Sequence, residues 1–322
     1  MSAARPPEGA RNTGSQAEAT PGGPPADWAT QRERSNLWVL RLMRAIAVYA
    51  GRPVARWVLH PIALYFLLAN GRARRASRQY LARVGQPAGW WGSYRHIHHF
   101  AATVLDRVYL LQGQLDQFRF DLGDVAGLET ALSEGQGLVL MGAHLGSFEA
   151  LRAAGQGVGT RVAMLMYEDN ARLINATLKA IAPQAELHTI ALGRPGAMLS
   201  LRRWLNDGGM AGLLADRTLP GASGRSRPQM IPFLGQPAPF SDGPLRLAAL
   251  LRQRVVFMAG LYHGGRDYRL HFAPLADFRT LDAADMDAEV QAALRRYVAQ
   301  LEALCREAPH NWFNFYDFWA SE

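Results

Sequence analysis

The run GLVLMGAHLGSFE, residues 137–149, decides how the rest of the chain is read. Its first six residues are apolar or glycine with no polar break, which fits a strand buried on both faces. Ala143-His144-Leu145 follow, then Gly146 for a tight turn and Ser147 where a helix would start. A buried strand, a polar turn and a helix make the repeating unit of a parallel sheet. Outward from this run the alternation continues. The pattern predicts a helix at 147–156, a strand at 161–167, a helix at 171–181, a strand at 188–192, a helix at 195–206 and a strand at 211–215. A long loop rich in Pro, Gly and Arg is expected at 216–240. A helix at 241–252, strands at 255–262 and 268–275, and a long helix at 284–307 come next, before an aromatic tail. Upstream, 90–114 reads as a helix. The expected fold class is α/β, with a mostly parallel central sheet flanked by helices.

In such sheets ligands gather at the carboxyl ends of the strands. Three strands here end in reactive groups: at His144 to Glu149, at Tyr167-Glu168-Asp169-Asn170, and at Asp216-Arg217. Five residues apart on one continuous helix are about 140° out of phase, so His144 and Glu149 would not face each other there. They can meet if His144 lies in the turn and Glu149 in the first turn of the helix. A carboxylate on one imidazole nitrogen fixes the tautomer, and the other nitrogen can then take a proton from a hydroxyl. That is the base and orienter of a triad without an enzyme nucleophile. There is no Gly-x-Ser-x-Gly elbow, and Cys305 lies deep in a predicted helix. Direct attack of an acceptor hydroxyl on an activated acyl group is the simplest chemistry left. A His and a Glu at this spacing also occur by chance, and only the strand–turn–helix context gives the pair weight.

The chain has 322 residues, 49% hydrophobic and 19% charged, enough for a sizeable core and unlike a disordered or fibrous protein. Its single cysteine cannot form an internal disulfide or a zinc knuckle. The net charge of +8 is unevenly placed. Residues 1–33 are net −1, residues 34–105 carry eleven Arg and no acid, and residues 106–322 are net −2. The basic character is therefore one local surface, suited to phosphate groups or an acidic partner.

That basic segment is also very apolar: LWVLRLMRAIAVYA, then Gly51-Arg52-Pro53, then VARWVLHPIALYFLLAN. Neither stretch cleanly reaches the roughly 20 apolar residues of a spanning helix. Trp38, Arg41, Arg44, Trp57 and the cluster Arg72, Arg74, Arg75 and Arg78 fit a membrane-associated helical segment lying in, or dipping into, an anionic leaflet. Two buried core helices with a solvated Arg rim are the other reading. Nucleic-acid binders interleave basic residues with polar ones, so no nucleic-acid partner is expected. Residues 1–30, rich in Pro, Gly, Ala, Ser and Thr, read as a disordered tail without a secretory signal. The Arg clusters put the bulk of the chain on the cytoplasmic side. The organisation expected is a tail at 1–33, membrane-interface helices at 34–115 and an α/β domain at 116–322.

The segment GAHLGSFE resembles the His-x4-Asp/Glu signature of the lysophospholipid acyltransferase superfamily, in the Glu form of the lipid A biosynthesis late (lauroyl/myristoyl) acyltransferases. LLADRT, with Asp216, is similar to that family's Asp-Gln-Asp block, and IPFLGQPA (231–238) to its Pro-Phe-Phe-Gly-x-x-Ala block. YFLLANGRARRASRQYLARV (65–84) is similar to its N-terminal helices, and the likeness spans about 35–319. It implies an acyl chain moved from acyl carrier protein or acyl-CoA, as thioester co-substrate, to a hydroxyl of a lipid or glycolipid acceptor. The expected location is the cytoplasmic face of a bacterial inner membrane, among anionic membrane lipids, with no other cofactor. The chain departs from the family where Tyr167-Glu168-Asp169 leaves Arg172 as the nearest arginine, where Arg217 follows Asp216, and in the tail HNWFNFYDFW (310–319). These departures point to a divergent branch with its own acceptor.

The roles implied are His144 as general base and Glu149 as its orienter. Gly146 and Ser147 would offer backbone N–H groups to the oxyanion. Asp216 would hold the surroundings of His144 or an Arg, or serve only as a strand-end carboxylate. Arg172, Arg217, Arg225 and Arg227 would bind the donor's phosphate, or stay solvated loop charges. His96 and His99 have the spacing of a metal pair but lack an acidic partner nearby, and no metal is expected. The aromatic tail would pack on the sheet or line an acyl tunnel. A hydrolase on the same site, and a non-catalytic lipid-binding protein with the same fold, are the alternatives in function.

Overall fold

The computed structural model describes residues 37–123, 125–155, 161–167, 188–217 and 228–319. Three helices come first: α1 (Leu37–Ala69), α2 (Gly71–Arg83) and α3 (Trp90–Leu111). The α/β part follows as β1 (Arg119–Asp121), α4 (Ala126–Ser133), β2 (Leu138–Gly142), α5 (Phe148–Gly155), β3 (Val162–Tyr167), β4 (Thr189–Leu192), α6 (Ala197–Asn206) and β5 (Met210–Leu214). The hairpin β6 (Gln229–Phe233) and β7 (Gln236–Phe240), then α7 (Gly243–Leu250), β8 (Arg254–Gly264), β9 (Asp267–Asp277) and α8 (Met286–Glu307), complete it. Seven strands form one sheet in the order β1-β9-β8-β2-β5-β3-β4. Every pairing in it is parallel except β8 with β9. The mostly parallel α/β fold expected from the sequence is the fold observed.

β2 lies at the centre, between β8 and β5, and all five of its residues are buried. An uninterrupted apolar run suits that place, because helices and loops cover both faces of a parallel sheet. The largest core cluster unites these strands with α8 through Phe257, Tyr297, Val298 and Leu301.

The loop expected at 216–240 needs a correction over its described end. Gln229–Phe233 and Gln236–Phe240 pair antiparallel around Leu234 and Gly235, both at positive φ (50° and 84°). Two central residues at positive φ match the right-handed twist of a tight hairpin. Pro232, Pro237 and Pro239 disguise the strands. Proline is tolerated here because each strand of a lone pair is an edge. The short strand β1 and the helix α4 also went unread in the sequence. The helix expected at 171–181 and the tail at 1–33 lie outside the described residues.

α1 breaks at Gly51 (φ 78°, ψ 167°), at the Gly51-Arg52-Pro53 punctuation seen in the sequence. Proline is harmless in the first turn of a new helix segment, where its missing N–H has no partner to lose. Past the break, Ala55, Leu59, Ala63 and Leu67 recur every fourth residue and are buried. Ala55 and Leu59 pack with Ala102 and Leu105 of α3, and that cluster continues into Ala150, Tyr262, Tyr268 and Leu270. The packed-helix reading therefore holds for one face of α1. The same segment exposes Trp57, Leu64, Tyr65, Phe66 and Leu68, with Trp57 76% exposed. Among the described residues no helix is long and apolar enough to cross a membrane.

A buried charge fixes the helical layer to the sheet. Asp106 of α3 is fully buried and takes two hydrogen bonds from Arg52, at 2.9 and 3.0 Å, and one from the Tyr268 hydroxyl at 2.9 Å. Arg52 also donates to the Gly265 carbonyl in the β8–β9 turn at 2.6 Å. Removing one partner of such a pair strands the other charge away from water. Asp106→Ala is expected to lower stability by about 3–5 kcal/mol, measured by urea unfolding of the full chain.

Candidate functional site

Strand register builds the site. β2 and β5 are adjacent and parallel, with Gly142 opposite Leu214. Two residues beyond each, at the carboxyl end of the sheet, stand His144 and Asp216. The Asp216 Oδ1 atom lies 2.8 Å from His144 Nδ1 and also accepts the His144 backbone N–H at 3.1 Å. The imidazole side chain is 29% exposed, while the carboxylate beneath it is fully enclosed.

The turn after His144 is held by close backbone approaches. Gly146 has φ 71°, and a Cβ there would lie 2.0 Å from the Gly260 carbonyl oxygen of β8, so only glycine fits. Ser147 then starts α5, its Oγ accepting the Ala150 N–H at 3.2 Å. Glu149 falls in the first turn of that helix, as expected.

Two expected roles are corrected by this geometry. The carboxylate on His144 Nδ1 is Asp216 and not Glu149. Glu149 Oε1 instead forms an ion pair with Arg107 of α3 at 2.8 Å, and its other oxygen lies 3.4 Å from Ser147 Oγ. Gly146 and Ser147 do not hold their N–H groups open for an oxyanion. Gly146 N–H donates to the Asn311 carbonyl at 2.9 Å, and Ser147 N–H to the Gly260 carbonyl at 2.8 Å. The physical reason is that two segments run alongside the His144 turn and use its backbone groups: the tail after α8 takes the Gly146 N–H, and β8 takes that of Ser147.

That tail is the part of the site the sequence left open, and it packs inward. Trp312 is fully buried, and Asn311, Asn314 and Phe318 are buried with it. Leu145 and Trp312 form an antiparallel bridge, and Phe313 N–H donates to the His144 carbonyl at 2.7 Å. The Asn311 side chain pairs with both backbone groups of Tyr262, at 2.8 and 3.0 Å, as a short strand would. Asp216 Oδ2 receives the Trp312 indole N–H at 3.0 Å and the Asn314 amide at 3.1 Å. Asn314 Oδ1 in turn accepts from Arg217 Nε at 3.1 Å. Arg217 is thus tied to the site, while Arg172, Arg225 and Arg227 lie outside the described residues.

Burial alone would push the Asp216 carboxyl up. The His144 imidazole, its hydrogen bond, the Arg217 charge and the Trp312 N–H outweigh that, and hold Asp216 below the usual carboxylate range. An ionised acid is thereby kept under an imidazole that is 29% exposed.

His96 is not a metal ligand here. It is fully buried; its Nε2 donates to the Trp312 carbonyl at 2.8 Å, and its Nδ1 lies 3.0 Å from Ser77 Oγ. The carbonyl can only accept, so Nδ1 accepts the serine hydroxyl. His99 packs instead on Tyr262 and His310. Among the described residues no group of three His, Cys, Asp or Glu is placed to hold a metal ion.

Of the residues expected at a membrane, Trp57, Arg72, Arg75 and Arg78 are exposed. Arg74 stacks on Trp90, its guanidinium carbon 4.5 Å from the ring centre. Trp38, Arg41 and Arg44 fall in α1, in the stretch where side chains are not described. Trp57, His60, Tyr94 and Trp91 form a run of neighbouring rings from α1 to α3.

A family model described as bacterial lipid A biosynthesis acyltransferase matches residues 107–321. The search of curated proteins finds no match. The matched span begins at Arg107, the partner of Glu149, and takes in His144, Asp216 and the tail.

Burial lowers the His96 titration to about 3, against an ordinary value of 6.5. The unfolded chain therefore takes up a proton below pH 6.5 that the folded chain refuses until about pH 3. Stability contributed by neutral His96 is complete above pH 6.5 and falls as pH drops through that window. Between pH 6.5 and 5 the loss is expected to be about 2 kcal/mol, and His96→Gln should flatten the slope of unfolding free energy against pH by about one proton. Urea unfolding at a series of pH values measures both.

Proposed function

The chain belongs to the bacterial lipid A biosynthesis acyltransferase family, and from that membership we propose that it moves an acyl chain from a thioester, on acyl carrier protein or CoA, to a hydroxyl of a lipid or glycolipid acceptor. The observation that carries this reading is the hydrogen bond between the enclosed Asp216 and the half-open His144 at the carboxyl end of the sheet. With Nδ1–H donated to Asp216, Nε2 is the basic nitrogen. It takes the proton of the acceptor hydroxyl as the oxygen attacks the thioester carbon. The new C–O bond forms, the C–S bond breaks as the tetrahedral oxyanion collapses, and the imidazolium returns its proton to the leaving thiolate. Asp216 stays ionised throughout and offsets the charge on the ring.

Glu149 and Arg107 brace α5 against α3 beside the base, and Arg217 supplies the described positive charge closest to the pair for a donor phosphate. In this reading the exposed rings and Arg72, Arg75 and Arg78 are the face that meets an anionic leaflet, which agrees with action at the cytoplasmic side of the inner membrane.

Loss of a general base costs about 100- to 10,000-fold in rate. His144→Ala is expected to lower transfer by that amount, with folding unchanged, when purified protein is given labelled acyl carrier protein or acyl-CoA and a lipid extract. Transfer at the wild-type rate would overturn the assignment, and release of free fatty acid in place of acylated lipid would make the enzyme a hydrolase. In a second test, replacing Arg72, Arg75 and Arg78 together by Gln is expected to weaken binding to phosphatidylglycerol-containing vesicles by about 1 kcal/mol per charge at low salt. Co-sedimentation at two ionic strengths reads this out, and unchanged binding would remove these residues from the membrane face.

A further inference from the structure

We propose that Trp312 and Asn314, in the tail after α8, are positioning residues for the His144–Asp216 pair, so that the catalytic unit is assembled from the C-terminal tail as well as from the strand ends. The inference rests on the acyl-transfer reading above and names the groups that hold its base in place.

The two oxygens of Asp216 have separate duties. Oδ1 faces His144 and takes both its ring and backbone N–H groups. Oδ2 faces the tail and takes the Trp312 indole and the Asn314 amide. Without these two donors, Oδ2 would be an enclosed carboxylate oxygen stripped of both these hydrogen bonds, and rotation about the Cβ–Cγ bond would be less opposed. With them, the plane of the carboxylate is set, and the imidazole that bonds Oδ1 is set with it.

Each tail residue is itself oriented. The amide of Asn314 can point only one way: its oxygen accepts from Arg217 Nε, so its nitrogen faces the acid. The Trp312 carbonyl is bonded by His96 of α3, and its ring sits among Tyr80, Phe233 and Phe318. Between the two, Phe313 N–H holds the carbonyl of His144. Three consecutive tail residues thus grip the base and its partner, by side chain, main chain and side chain in turn. Indole suits position 312 because it brings a donor with no competing acceptor into a site that already holds a carboxylate.

Trp312 is also a core residue, so the test must separate positioning from packing. Trp312→Phe keeps a ring and removes the N–H; Asn314→Ala removes the amide with little change in packing. Both are made in the full chain. Loss of a donor leaves more of the Asp216 charge acting on the imidazolium, which then keeps its proton to higher pH. Each variant is expected to lower kcat about 10-fold with KM for the acyl donor unchanged, and to move the acid limb of the pH profile upward. In histidine labelled with 15N, the ring N–H resonance that disappears in His144→Ala should shift in both variants. Wild-type kcat, an unmoved acid limb and an unmoved resonance in a folded variant would overturn the proposal. A lower melting temperature with the limb and resonance unmoved would also overturn it, by assigning the two residues to packing alone. If Trp312→Phe does not fold, Asn314→Ala decides. If the wild-type chain transfers no acyl group, the functional reading fails by itself, and the resonance still decides whether the tail positions His144.

Discussion

A single carboxylate, that of Asp216, gathers the structure's main parts into one place. It accepts from His144 in the turn after β2, from Trp312 and from Asn314 in the tail, and it sits at the end of β5. An enclosed ionised acid would cost several kcal/mol if any of its oxygens went unbonded. Here four N–H donors surround it, and they come from segments far apart in the chain. The arrangement therefore exists only when the β2–β5 register, the glycine turn and the tail are all in place. A slip of one residue in that register would turn the side chain at the strand end to the other face. The same requirement explains the unusual closeness of main chains at Gly146 and Gly260. A Cβ on Gly260 would lie 2.4 Å from the Ser147 carbonyl oxygen, so both sides of that crossing must be glycine.

The electrostatic consequence reaches the chemistry. A base that works by taking a proton and giving it back needs a neighbour whose charge does not change between the two steps. Asp216 is held below the usual carboxylate range by the very groups that position it. Position and charge state thus have one cause. Glu149 does not take this place in the structure: it is paired with Arg107 from the first turn of α5.

Much of the fold was legible in local pattern. The run at 137–142 reads as a buried strand, and the strands at 161–167, 188–192 and 211–215 follow from short apolar stretches set between helices; all of them are strands in the structure. His144 was legible as a turn residue at a strand end. Its partner was not, because sequence spacing favours Glu149, five residues away, over Asp216, which is 72 residues away. Only the parallel register of β2 with β5 brings Asp216 close, and the order of strands in a sheet is not written in any one of them. The oxyanion role given to Gly146 and Ser147 failed for a related reason. A helix start in isolation has free N–H groups, and nothing nearby in sequence says that Asn311 of the tail and Gly260 of β8 will lie alongside it and take them. The hairpin at 229–240 was hidden by its prolines, which speak against a central strand and not against a solitary pair.

The helical layer shows how two readings of one segment can each describe part of it. A helix that is apolar all round must cover both faces. The part of α1 after Gly51 covers one face with α3, along Ala55, Leu59, Ala63 and Leu67, and leaves Trp57, Leu64, Tyr65, Phe66 and Leu68 exposed. Arg52 and Arg56 on the same segment reach down to Asp106 and Tyr262 and anchor it to the sheet. A segment anchored at its start by these arginines and packed along one face by Ala55, Leu59, Ala63 and Leu67 has only its other flank to offer to a lipid surface. α3 carries the connection inward: Trp91 and Tyr94 join the exposed rings, while His96 and Arg107 hold the tail and Glu149. An acceptor lipid drawn partly out of a leaflet at that flank would meet an element already bonded to the tail and to α5, the two segments on either side of the His144 turn. The spatial economy of the fold thus lies in α3, which carries aromatic rings toward the proposed membrane side and holds, through His96, the tail that bonds Asp216 and, through Arg107, the helix that starts after His144.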